Sequence, residues 1–129
     1  MSLEAELTTR MKAHVGLAAL VGVRVYPGLL PPQPTYPAVT YAIVSDVPEH
    51  AMGTDPGTKT ARVSTTVWSL SYKAAKDCAD QVVAALSRYR HASAPTITDV
   101  LMDNQLDTYD DTVRAHGVVT DFRVFYSEA

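Results

Sequence analysis

The sequence predicts one α+β domain, residues 1–129, in which a mainly antiparallel sheet has two helices packed on one face. Three observations predict this fold class: two alternating segments rich in β-branched residues, an amphipathic helix directly after one of them, and another amphipathic helix near the N-terminus. The predicted order is helix, three strands, helix and further strands. Such an order is typical of domains whose helices cover one face of an antiparallel sheet.

The first predicted element is a helix that begins at the N-cap residue Ser2. Apolar residues recur along it three and four positions apart, which is the spacing of one helical face. They are Leu3, Leu7, Met11, Val15 and Ala18. Gly22 is a suitable C-terminal stop, and residues 23–26 then predict a short strand that ends at Pro27. The proline-rich stretch 27–37 predicts a stiff, extended connection.

Two predicted strands dominate the middle of the chain. Residues 38–44 are apolar on both faces, which predicts a central position in the sheet. Residues 61–70 alternate with a period of two, so Val67 faces the core and Trp68 lies on the opposite face, away from the helices. Residues 45–60, between the strands, predict a loop longer than a hairpin needs. Both a functional loop and a disordered one fit that length.

The remaining residues predict the second helix and the end of the sheet. Ser71 is a good N-cap, because its hydroxyl can accept from a free N–H of the first turn, and the helix runs to Arg90. Its apolar stripe consists of Ala75, Cys78, Ala79, Val82, Leu86 and Tyr89. Residues 96–102 then predict a strand, residues 106–109 a weaker one, and residues 113–126 a long last strand with a bulge at Gly117.

Composition excludes several classes of protein. A net charge of −3 and a pI near 5.7 do not fit a general nucleic-acid binder, which needs a basic surface for phosphates. Charged residues interrupt the apolar N-terminal run, so neither a signal peptide nor a membrane span is predicted. The single cysteine cannot form an internal disulfide, which agrees with an expected intracellular, reducing compartment.

Motifs for catalysis or for binding a cofactor or metal are not found in the sequence. The four histidines lack the spacing of a metal site, and the glycines form neither a phosphate-binding loop nor a dinucleotide fingerprint. Cys78 lies within an apolar helical stripe, which predicts a buried structural thiol. The aspartates between Asp107 and Asp111 lack the alternation of a calcium loop. We therefore expect no enzyme activity, no cofactor and no metal.

Four pieces of sequence, in a fixed order along nearly the whole chain, carry a resemblance to a known family. They are the N-terminal helix running into LVGVRVYP at 20–27, YPAVTY at 36–41, the strand ending in VWS at 67–69 with its following helix, and TDFRVFY at 120–126. In these pieces the chain resembles the tail completion or tail terminator proteins of long-tailed bacteriophages and phage-like particles, such as prophages and gene transfer agents.

This resemblance implies a structural virion protein in the tail or neck, assembled in the cytoplasm of a bacterial host. It implies a ring, a hexamer, on the head-proximal end of the tail tube, which ends tube growth and joins tail to head. The implied partners are further copies of the chain, the tail tube protein and a neck or head-completion protein, with DNA passing through unbound and no membrane contact. Another neck or head-tail adaptor protein, or a small ferredoxin-like enzyme or ligand-binding domain, are the alternatives.

Two sets of residues are candidates for the contacts of such a ring. The first set comprises Trp68 and four residues of the long loop, namely His50, Met52, Asp55 and Lys59. It is expected to contact a neighbouring subunit or the tube, although Trp68 also fits a position packed under the C-terminal segment. The second set comprises Asp99, Asp103, Asp107, Asp110 and Asp111. These carboxylates would repel DNA from the wall of a lumen, whereas a solvated outer surface is the alternative.

Overall fold

The computed structural model describes residues 3–22, 24–28, 35–48, 58–92, 96–112 and 114–127. Three helices and five strands make up this part of the chain. They are α1 (Leu3–Ala13), α2 (Val15–Val21), β1 (Val25–Pro27), β2 (Ala38–Pro48), β3 (Thr58–Ser69), α3 (Tyr72–Leu86), β4 (Thr96–Asp110) and β5 (Ala115–Ser127). Among the described residues, no helix has the length and apolar character that crossing a membrane requires.

The five strands form one sheet in the order β1-β2-β3-β5-β4. Three neighbouring pairs are antiparallel, whereas β1 and β2 run parallel. The fold is therefore α+β as predicted, but its sheet is mixed. Because β1 and β2 run parallel, both strands begin at the same end of the sheet.

The N-terminal segment forms two helices, so the protein has three described helices where the sequence predicted two. The break lies at His14, whose ψ of 118° is extended. It leaves Val15 83% exposed and brings Leu17 into the core instead. At Gly16 an added Cβ would meet the end of the Gln81 side chain of α3, so α2 lies next to α3 at this position.

Helix α3 agrees with the prediction in its cap and its buried face. The Ser71 hydroxyl accepts a hydrogen bond from the Ala74 N–H at 3.5 Å. The buried residues of the helix are Ala75, Cys78, Ala79, Val82, Ala85 and Leu86. They pack against the sheet and form one core with the buried residues of α1 and α2. The helix ends at Leu86 and not at Arg90, because Ser87 is extended and Arg88 has a positive φ of 61°.

Strand β4 corrects the prediction of two separate strands. It runs without a break over 15 residues but changes register between Ile97 and Asp99 and again between Met102 and Asn104. Ile97 and Val100 are both buried although they lie three positions apart. Strict alternation would place them on opposite faces, so a bulge between them is what keeps both in the core. The predicted bulge at Gly117 is wrong, because this residue pairs in regular register.

Candidate functional site

One face of the sheet carries no helix among the described residues. Along β3 the residues at odd positions from Ala61 to Ser69 are buried, whereas those at even positions are exposed or partly buried. We call the second face the open face. It consists of rows of paired residues that cross β2, β3, β5 and β4. Three such rows are Ala38-Trp68-Gly117-Thr108, Thr40-Thr66-Val119-Leu106 and Ser45-Arg62-Arg123-Leu101.

Trp68 is the largest side chain on the open face, and the structure places it opposite the helices. Its indole N–H donates to the Thr40 hydroxyl at 3.3 Å. Its ring covers Gly117, where a Cβ would lie 3.0 Å from Trp68 Cζ3 and 2.7 Å from Thr108 Cγ2. Glycine at this position therefore allows the indole to lie flat over the neighbouring strand. Trp68 is partly buried, so much of the ring is held in place while part of it faces outward.

A second surface feature combines aromatic and charged groups where α3 meets β4 and β5. His116 packs edge-on against Tyr72, with ring centroids 5.7 Å apart. Its ring is tilted against that of Tyr109, with centroids 4.8 Å apart. Both tyrosines are 48% exposed. The Asp107 carboxylate accepts a hydrogen bond from the Tyr72 hydroxyl at 2.7 Å and pairs with Lys76 at 2.6 Å. Exposed tyrosines held by neighbours are frequent in protein–protein contacts, and sequence reasoning missed this cluster.

The charges of this cluster stabilise each other. The hydrogen bond from Lys76, followed by the one from Tyr72, lowers the pKa of Asp107 below its usual value. The same bond to Asp107 raises the pKa of Lys76. Both groups are therefore charged at neutral pH, and the pair contributes no net charge to this surface.

The structure does not bring the five candidate lumen carboxylates together on one face. Asp99 pairs with Arg88 at 2.9 Å, and Asp103 pairs with Arg123 of the open face at 3.3 Å. Asp107 lies on the helix side in the cluster described above. The remaining two, Asp110 and Asp111, lie at the turn between β4 and β5, where Asp110 accepts from the Thr112 N–H at 2.9 Å. Neither of them forms an ion pair with any residue that the structure describes.

The loop candidates of the first set are only partly within the described residues. Lys59 lies in β3, where it pairs with Pro48 of β2 and with Tyr126 of β5. The predicted loop of residues 45–60 is thus too long, because β2 continues to Pro48 and β3 begins at Thr58. His50, Met52 and Asp55 lie outside the described residues.

A buried polar network joins α1 to the segment after α3. Glu6 is 4% exposed, and its carboxylate accepts from the Tyr89 hydroxyl at 2.6 Å and lies 3.4 Å from His91 Nε2. Burial, together with the bond to Glu6, raises the pKa of Tyr89 to about 12. Neither the burial of Glu6 nor this network was predicted from the sequence. The network fixes α1 to the segment that follows α3.

Reactive chemistry is not assembled in the described part of the chain. No three His, Cys, Asp or Glu side chains there are arranged to hold a metal ion. Cys78 is buried as predicted, and burial raises the pKa of its thiol to about 12, so the thiolate nucleophile is suppressed. What the surface offers instead is a tryptophan-bearing sheet face and an exposed aromatic cluster, both suited to contacts with other proteins.

Comparisons with known proteins agree with this description. A protein-family model described as "Tail completion protein gp17" matches residues 5–127. Among solved structures, a chain from "Virion of native gene transfer agent (GTA) particle" superposes with a TM-score of 0.75. The two chains are 20% identical, and the match covers 98% of this chain and 95% of that one. No curated protein sequence matches the chain significantly.

Proposed function

The chain belongs to the tail completion protein gp17 family, and from this premise we propose that it is a ring subunit which closes the head-proximal end of a phage-type tail tube. Family membership itself establishes a structural protein of a phage-type tail, and confirms the expectation that the chain is not an enzyme. The ring, its seat on the tube, the end of tube growth and the joining of tail to head are the proposed part.

The observation that carries the proposal is the combination of this family with a surface built for contacts. A closed ring forms when one patch of a subunit meets a different patch of the next subunit and the rotation closes. The open face and the aromatic cluster around His116 lie on different parts of the surface, so one subunit can contact more than one partner at the same time. We propose a hexamer, with the tail tube protein on one side of the ring and a neck or head-completion protein on the other.

Passage of DNA through the ring adds a requirement on its inner wall. We propose that the wall is not basic and binds no phosphate, since each phosphate contact would hold the duplex. Of the five carboxylates predicted for this wall, we propose that Asp110 and Asp111 line it, because the other three pair with cations of the same chain. Ring symmetry would repeat these two charges once per subunit, which strengthens their repulsion of phosphate.

A particle that lacks this chain tests the proposed function directly. Without it, we expect tail tubes of abnormal length and heads that are not joined to tails, both visible by electron microscopy. Supplying the chain in trans should restore uniform tubes and complete particles. Uniform tubes joined to heads in its absence would contradict the proposal.

The wall can be tested separately with Asp110→Asn combined with Asp111→Asn. Particles should assemble normally but eject DNA more slowly, and a matched pair of changes on the exposed side of α3, Asp77→Asn with Asp80→Asn, should have no effect. If both pairs behave like the natural protein, Asp110 and Asp111 lie on an outer surface.

A further inference from the structure

We propose that neighbouring copies of this chain join edge to edge, with β4 of one subunit adding to β2 of the next in an antiparallel pair, so that one sheet continues around the ring. The proposal rests on the ring function proposed above and names the contact that closes it. Its evidence is that, among the residues that the structure describes, each edge of the sheet is covered over one half and left open over the other.

The outer edge of β4 is covered only near its start. Ile97 exchanges two backbone hydrogen bonds with His91, and the Val100 carbonyl accepts from the Arg88 N–H at 2.7 Å. Beyond Val100, no described residue pairs with this edge as far as Asp110. The open half of β4 is therefore residues 102–110.

Backbone groups point outward along this open half. In an antiparallel strand, alternate residues direct both N–H and C=O to the same side. Val100, which bonds outward, opposes Val124 of β5, and Gln105 opposes Thr120 four pairs further on. Gln105 consequently directs its N–H and C=O away from β5, as do Asp107 and Tyr109 by the same alternation.

The opposite edge of the sheet shows the reverse arrangement. The short strand β1 covers β2 only over Val39–Tyr41, and the Tyr41 carbonyl accepts from the Gly28 N–H at 2.7 Å. From Ala42 to Pro48, β2 pairs with β3 on one side and with no described residue on the other. Alternation along β3 directs the backbone groups of Ile43 and Asp46 outward. The open half of β2 is residues 42–48.

Strand direction makes these two half-edges compatible. Each step from β2 to β3, β5 and β4 reverses the direction, so β4 runs opposite to β2. A rotation axis roughly along the strands keeps these directions in every copy. The β4 edge of one subunit then meets the β2 edge of the next as an antiparallel partner, and a heterologous contact of this kind can close into a ring.

The offset between the open halves fits a closed sheet. Leu106, the centre of one half, lies in the row of Thr66 of β3, and Ser45, the centre of the other, lies in the row of Arg62, four residues away. Four residues correspond to an offset of about 13 Å along the strands. Four strand-to-strand steps, including the step to the next subunit, span about 19 Å, so the strands are tilted by about 35°. Sheets that close into barrels have tilts of about 35–45°.

Exposed apolar side chains concentrate on the same two half-edges. Nine large apolar side chains are exposed among the described residues, and five of them lie on these short segments. They are Val44 and Val47 on β2, and Met102, Leu106 and Tyr109 on β4. Val47 and Leu106 both lie on the open face, so pairing of the two half-edges would bring these two side chains close together. An exposed strand edge with apolar side chains promotes aggregation, and pairing with the neighbouring subunit would cover it.

The test uses a proline and its matched control. Gln105→Pro removes an N–H that points outward and therefore takes no bond from the β4-β5 ladder. Gln105→Ala keeps the N–H, and both changes remove the 3.1 Å side-chain bond to Thr120. Both variants should fold, as measured by circular dichroism. We expect Gln105→Ala to assemble like the natural protein and Gln105→Pro to assemble at least tenfold more weakly.

Crosslinking of assembled particles identifies the pair of edges. Val47→Cys combined with Leu106→Cys should give a ladder of crosslinked subunits with a short bismaleimide, whereas each single change should give none. The buried natural thiol, Cys78, should stay unmodified. Normal rings without a ladder, together with equal assembly of the Gln105 variants, would refute edge pairing and leave the ring intact. Dimers from Leu106→Cys alone would mean symmetric β4-β4 contact and also refute it. Absence of any ring in particles would overturn both proposals.

Discussion

Replacing Trp68 by alanine separates the stability of the subunit from its assembly. The indole contributes to the monomer by covering Gly117 and bonding to Thr40. A fully buried aromatic side chain covers roughly 150–250 Å², so a partly buried one covers about 100 Å². At about 25 cal/mol per Å², its removal costs the monomer about 2 kcal/mol, and the bond to Thr40 adds little because water replaces it.

This loss leaves a folded subunit, because domains of this size have a free energy of unfolding of about 5–15 kcal/mol. Attachment to a partner protein should be weakened as well. A tryptophan that anchors an interface contributes about 2 kcal/mol or more, which weakens the contact about thirtyfold. Trp68→Phe is the matched control, because a smaller ring still covers Gly117 and should recover most of the monomer stability.

The assays follow from Trp68 being the one tryptophan of the chain. Its fluorescence in the natural protein should shift to shorter wavelength on attachment to the tube or the neck protein, because the exposed part of the indole becomes buried. Urea unfolding followed by circular dichroism measures the monomer, and sedimentation velocity measures assembly. If Trp68→Ala lowers the stability of the monomer but leaves assembly unchanged, and the fluorescence of the natural protein does not shift on assembly, the Trp68 indole only covers β5 and contacts no partner.

Three further outcomes are expected from the interior. Cys78 should not react with a thiol reagent in the folded protein and should react once urea unfolds it, because burial holds its thiol pKa near 12; rapid labelling of the folded chain would show that α3 opens. The pKa of Tyr89 is about 12 in the folded protein and 10.0 in the unfolded chain. Its contribution to the free energy of unfolding is therefore complete below pH 10 and is lost as the pH rises to 12. Tyr89→Phe should remove that alkaline loss of stability, measured by urea unfolding across this range, and an unchanged pH profile would contradict it. Gly117→Ala should cost about 1–3 kcal/mol by overpacking, and Thr108→Ser should recover part of it, since the nearest atom to the added Cβ is the Thr108 methyl. If the natural protein, Gly117→Ala and Gly117→Ala with Thr108→Ser are equally stable in urea, β5 moves away from the Thr108 and Trp68 side chains without cost.

The sequence predicted best those parts of the fold that are set by local periodicity. Helix α3, its Ser71 cap and its buried stripe follow from spacing of three and four residues, and β3 follows from alternation. Alternation also placed Trp68 on the side away from the helices. Such patterns predict a face correctly because each residue along a regular element is rotated by a fixed angle from the last.

The errors arose where regularity is interrupted. Val15 continues the helical spacing of α1, yet the break at His14 turns it outward, and no local pattern marks that break. In β4, the spacing of three between the buried residues Ile97 and Val100 is the sign of a bulge. The predicted break between residues 102 and 106 is wrong, because β4 continues past its second register shift. Gly117 was assigned a bulge for its flexibility, whereas its role is to leave space for Trp68.

Charge could not be assigned from the sequence because ion pairs join distant segments. Asp103 and Asp107 both lie on β4, four residues apart, yet they pair with Arg123 of β5 and with Lys76 of α3. A run of acidic residues in sequence is therefore not an acidic surface. These pairs matter for the proposed lumen wall, because Asp99, Asp103 and Asp107 pair with cations and the proposal therefore rests on Asp110 and Asp111.

Edge pairing also changes what Trp68 can contact. Trp68 lies on β3, an inner strand, so a neighbour added at β2 or β4 does not reach across the sheet to cover it. It lies near the end of β3, in the row of Gly117 and Thr108, and so close to the β4-β5 turn. If neighbouring subunits join through their edges, the exposed part of the indole is left for a different protein at that end of the ring. Gln105→Pro should then abolish ring formation by the free chain, whereas Trp68→Ala should spare the ring and weaken its attachment to the tube or the neck. Loss of ring formation in both variants would instead place the open face of one subunit against the next.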